Sequence, residues 1–176
     1  AMLKHFTPFD EPLAAALAAG ALGLLDADAL RNGALSSFAC RQDLEERERA
    51  GGASIFLKPA SAAAALRAAG RRVCFLTHAW RSCVHPDPDG ATLAALLHFL
   101  RDPLGAHVVG VFVDFACLHQ SPRTKEQEGG FQAALEVMAN GCAPPALAAR
   151  PRPGVTPPCL AGTPRRSARR SRAVPP

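Results

Sequence analysis

Two short apolar runs flank a leucine-periodic helix, and that order restricts the fold more than any other feature of the chain. Arg72-Val73-Cys74-Phe75-Leu76-Thr77 reads as a buried strand. His107 to Phe115, with Val108, Val109, Val111, Phe112 and Val113, is almost wholly apolar. Such a run is the pattern of a strand covered on both faces. Between them Thr92 opens a helix whose Leu93, Leu96, Leu97 and Leu100 follow the i, i+3, i+4, i+7 spacing of one buried face. Pro103 and Gly105 end it. A right-handed crossover then makes the two strands parallel neighbours with helices on the sheet faces. Beyond a loop with Pro122, Thr124 caps another helix with Phe131, Leu135 and Met138 on its inner face. The class is α/β, a partial parallel sheet flanked by helices, with nothing after residue 139 to supply a third strand.

The preceding 60 residues read as a helical N-terminal region. Residues 10–32 form a helix opened by Asp10 as N-cap with Pro12 in its first turn, with breaks at Gly20 and Gly23. Leu13, Leu17 and Leu24 share its face. The apolar run from Leu13 to Leu25 is too short to span a bilayer. Lys4 is outweighed by Asp10 and Glu11, which argues against a signal peptide. Arg41 to Ala50 is a second helix whose charges read as a solvated face. Residues 54–59 read as a short strand or lead-in, after which Ser61 caps a helix over Ala62–Ala69.

Charge divides the chain unevenly. Residues 140–176 carry seven Arg, nine of the 16 Pro and no acid, leaving 13 basic and 15 acidic side chains for the remainder. A basic, Pro-dense stretch without periodicity buries too little apolar surface to offset its chain entropy, so it reads as a disordered tail. The slightly acidic body is unsuited to binding nucleic acid through net charge, and the Arg-rich tail offers only a weak alternative for that partner. The divisions expected are 1–60, 61–139 and 140–176. Six scattered cysteines in a body that can build a core point to reduced thiols, hence a cytoplasmic protein with a nuclear alternative and no membrane partner.

Candidate chemistry sits at the carboxyl ends of the strands, where open parallel sheets form their crevice. Thr77-His78-Ala79-Trp80-Arg81 follows the first strand and Asp114-Phe115-Ala116-Cys117-Leu118-His119-Gln120 the second. Adjacent strands would bring His78 and Asp114 to within about 5–10 Å. Each residue has a plainer use: Asp114 capping a turn, Cys117 as a small buried hydrophobe, Trp80 in packing, His78 on a loop carbonyl. Pro86-Asp87-Pro88-Asp89-Gly90 is first of all turn chemistry. No metal is expected. The alternative is zinc on the Cys-x-His pairs Cys83, His85 and Cys117, His119, although their one-residue spacer is shorter than usual. Glycine-rich phosphate loops, Gly-x-Ser-x-Gly and His-Glu-x-x-His are absent from the sequence.

Val113-Asp114-x-x-Cys117-Leu118-x-Gln120, followed by a Glu-bearing helix reaching Met138, resembles the central signature of heterokaryon-incompatibility-type domains. Phe75-Leu76-Thr77-His78-Ala79-Trp80 is similar to that family's first strand. The likeness covers residues 72–139. Phe112, His119 and Arg81 stand where Trp, Asn and Gly are common, and Asn140-Gly141-Cys142 replaces the expected continuation. The sequence is therefore expected to be cut short or read through after residue 139. The resemblance implies a TIR-like, flavodoxin-like fold used in self-recognition and signalling by association with copies of itself or other signalling proteins. Some relatives of that fold cleave NAD at its nicotinamide–ribose bond, which makes NAD a substrate in the alternative reading as an N-glycoside hydrolase. The resemblance would then place ribose on Asp114, line the pocket with His78, Cys117 and Gln120, and stack a ring on Trp80. The catalytic Glu of enzymatic relatives lies on a later helix, for which Glu126 or Glu128 substitutes poorly.

Overall fold

A computed structural model describes residues 10–142 apart from 69, 71, 77–79 and 83. The 143–176 part of the expected tail lies outside the described residues. The sheet has three strands, β1 (Leu25–Asp26), β2 (Val73–Leu76) and β3 (Gly110–Val113), in the order β1-β3-β2. β2 and β3 are parallel, with Val73 beside Gly110 and Leu76 beside Val113. Their crossover runs through α5 (Ala91–Arg101), as the leucine spacing predicts, with Leu93, Leu96 and Leu100 buried.

The expectation of a wholly parallel sheet with only two strands is corrected by β1, which pairs antiparallel with β3. It arises inside the stretch read as one helix. α1 (Asp10–Ala18) ends at Gly20, whose φ of 73° is a left-handed conformation costly for residues with a Cβ. Leu24 and Leu25 then enter the core extended, and Asp26 starts the five-residue α2 (Ala27–Arg31) by accepting the N–H groups of Asp28 and Ala29. The outer side of β1 is covered by an antiparallel bridge from Leu25 to Phe56. Gly110 sits in tight space on the central strand, because a Cβ there would lie 3.1 Å from the side-chain tips of Leu24 and Leu57, which would have to shift.

Helices cover the sheet. α3 (Arg41–Arg49) lies against α6 (Asp114–Cys117), a single turn that continues directly from β3. Phe115, expected at the end of the second strand, therefore belongs to that turn. α4 (Pro59–Arg67) begins earlier than Ser61: Lys58 is its N-cap and Pro59 its first residue, where the missing N–H has no partner to lose. α1 packs on α4 and on α7 (Lys125–Cys142). Alanines make the α1–α4 contact, with Ala14, Ala62 and Ala63 almost fully buried. α7 starts with a reciprocal cap, Thr124 Oγ1 accepting from Gln127 N while Gln127 Oε1 accepts from Thr124 N. Its inner face centres on buried Ala134 rather than on Leu135, which is 37% exposed.

One cluster of buried side chains runs from Ala14 through Leu25, Leu44, Leu100 and Val111 to Ala134. Each fully buried Leu contributes about 1.5–3 kcal/mol through removal from water. Among the described residues no helix is long and apolar enough to cross a membrane.

Candidate functional site

Parallel pairing of β2 and β3 directs the chain after Leu76 and after Val113 to the same end of the sheet. The Phe115 ring is the hub there. Trp80 meets it edge-on at 5.5 Å and His85 at 5.3 Å, so the loop after β2 is pinned onto α6 by aromatic contacts. Trp80 remains 42% exposed. His78 and Cys83 lie outside the described residues, so the anticipated meeting of His78 with Asp114 has only its carboxylate half in view.

Several polar groups proposed for a ligand are engaged by the protein itself. Asp114 is half-buried, and its Oδ1 accepts the N–H of Phe115 at 2.7 Å, the turn-forming role. Gln120 Nε2 donates to the carbonyls of Leu118 at 2.9 Å and Asp114 at 3.3 Å, closing the loop on itself. Glu128 is paired with Arg123 at 3.0 Å and accepts from Gln132 at 2.7 Å. The bond from Gln132, then that from Arg123, holds its carboxyl below the usual range. No hydrogen bond or ion pair joins Glu128 to Asp114 or Trp80 among the described residues.

Cys117 has no exposed surface. Its Sγ accepts from Val113 N at 3.3 Å and faces Val111 O at 3.6 Å. Burial pushes the thiol up to about 12, so the thiolate required of a nucleophile or metal ligand is absent near neutral pH. The zinc alternative also loses His85. Its Nε2 lies 3.0 Å from Phe38 O and its Nδ1 accepts from Asp87 N, which fits the neutral Nε2–H tautomer. No group of three or more potential metal ligands occurs among the described residues. Asp87 is 2% exposed and accepts the N–H groups of Thr92 and Leu93, so this carboxylate in the Pro-Asp-Pro-Asp-Gly turn caps α5.

The residues that hold this end together come from α3, which sequence reasoning treated as a solvated helix. Arg41 is 8% exposed and donates to the carbonyls of Gly20, Ala21 and Cys117 as well as to Glu45. Gln42 brackets Gln120, donating to its carbonyl and accepting its N–H. Glu45 Oε2 reaches His119 Nε2 at 3.3 Å, while His119 Nδ1 is buried with no partner among the described residues. One signal was available: Arg41, Leu44, Glu45 and Glu48 lie on one face by the 3.6 period, so the stripe containing the helix's lone leucine also carries its key charges. No family model, curated protein or solved structure matches the chain.

Proposed function

We propose that the chain is an interaction module of heterokaryon-incompatibility, TIR-like type that works by assembling with copies of itself, in keeping with an intracellular signalling role. The exposed edge of β2 carries this reading. Among the described residues β2 pairs only with β3, leaving Val73-Cys74-Phe75-Leu76 as an apolar edge. Phe75 is 43% exposed on it, and Trp80 and Val84 (85% exposed) are further exposed apolar side chains later in the chain. An unprotected apolar edge offers unpaired N–H and C=O groups to another strand. β1, the other edge, is two residues long and covered by Phe56.

Light scattering across a concentration series tests this. The expected result is a mass rising above the 18.4 kDa of one chain, and a Phe75→Lys chain that stays at that mass, because an edge lysine opposes strand pairing. A wild-type chain that remains monomeric throughout overturns the reading. The NAD-cleaving alternative has no comparable support, since Asp114, Gln120 and Glu128 are all engaged by neighbouring groups. Incubation with NAD should release no nicotinamide above buffer; steady release would favour the hydrolase instead.

A further inference from the structure

A cavity of about 280 Å³ opens between α3, the 54–59 segment and the turn joining α1 to β1, and none of Trp80, Asp114 and Gln120 lines it. Leu22, Phe56, Leu57 and Ala62 give it apolar walls, and Arg41, Glu45, Glu48 and Lys58 supply charge. We propose that it binds a small apolar zwitterion, the chemical class of an aliphatic α-amino acid, with the ammonium on Glu48 and the carboxylate on Lys58 and Arg41.

The charges select this class. Glu45 is occupied, one oxygen by Arg41 and the other by His119. Glu48 uses only Oε1, which accepts the N–H groups of Ile55 and Phe56 and, at 3.4 Å, the Ser54 hydroxyl, while Oε2 has no hydrogen bond among the described residues. Lys58 forms no ion pair among the described residues, which leaves its ammonium available. A guanidinium carries five N–H donors. Arg41 directs four of them to Glu45, Ala21, Cys117 and Gly20, so one Nη2–H on this buried side chain is unused. The groups left to a ligand are thus cationic donors and one carboxylate oxygen. A ligand with a single charge satisfies one and leaves the other without a partner, whereas a zwitterion satisfies both. The volume lies just under the roughly 300 Å³ at which pockets for drug-sized molecules begin, which suits a ligand the size of leucine. Nothing here depends on the β2 edge, so failure of either proposal leaves the other standing.

Saturation-transfer NMR on the full chain, titrated with L-leucine, 4-methylpentanoate and 3-methylbutylamine, tests it. Leucine should bind at least about tenfold more tightly than the two compounds carrying one charge each. Lys58→Met should weaken leucine binding by about tenfold with the fold intact by circular dichroism, since no ion pair is lost, and Glu48→Gln should weaken it through the other end. No transfer to leucine at millimolar concentration, equal binding of either single-charge compound, or wild-type affinity in either variant overturns the proposal.

Discussion

His119 occupies a buried site with cationic neighbours. Burial lowers its pKa from 6.5 first, the Arg41 guanidinium lowers it further, Glu45 partly opposes this, and Arg123 adds to the lowering. The unfolded chain therefore binds this proton at a higher pH than the folded one. Stability from this group is present above about pH 6.5 and is lost as pH falls below that value toward the lowered folded pKa. Thermal melts between pH 7.5 and about 5 should show wild type losing stability on acidification and His119→Gln losing less. Identical slopes would remove His119 from the acid response. Cys117 calls for a different readout. At neutral pH, alkylation of the native protein followed by peptide mapping should leave this thiol unmodified, and Cys117→Ala should cost about 1 kcal/mol through a small cavity. Both residues were visible as candidates in the sequence. Their roles were not, because reactivity depends on what surrounds a side chain.

At the scale of elements, α3 joins parts of the chain that are distant in sequence, Arg41 reaching a carbonyl 76 positions away at Cys117. Replacing it by methionine keeps much of the volume but strands the part-buried carbonyls of Gly20 and Ala21 and leaves that of Cys117 with only the N–H of Gly23. Arg41→Met should cost about 3–5 kcal/mol in chemical denaturation, the range for breaking a buried charged network. Arg41→Lys should recover only part of it, because an ammonium cannot match the forked guanidinium. A loss below about 1 kcal/mol would mean the network is dispensable. Elements set by their own neighbours were legible from sequence: α5 from its leucines, α7 from Thr124 as its cap, and β2 and β3 from their apolar runs. β1 was hidden because two residues carry no periodicity, and the alanines and leucines before them favour a helix.

For the whole molecule, a single buried cluster draws on α1, β1 and α3 as well as on the strand–helix–strand unit. β3 is the central strand only because β1 covers one side of it. Residues 61–142 expressed alone should therefore show no cooperative thermal transition, because removal of Leu17, Leu24, Leu25, Leu30 and Leu44 takes away side chains with at most 1% exposure. A sharp transition in that shorter chain would show that the strand–helix–strand unit folds independently. The β2 edge belongs to this scale as well: its lack of a second strand among the described residues follows from strand order, which no single run of residues specifies.

The sequence by itself determined what near neighbours dictate, namely the parallel strand pair, its leucine-faced crossover and the helix capped by Thr124. Tertiary structure alone decided which of the candidate side chains remain available. It buried Cys117, turned Asp114 and Gln120 onto their own loop, drew Arg41 into the core, and left Phe75 and Trp80 exposed. The physical reason is range: helical periods and caps act over three or four residues, while burial and hydrogen-bond satisfaction are set by groups that meet only once the chain has folded.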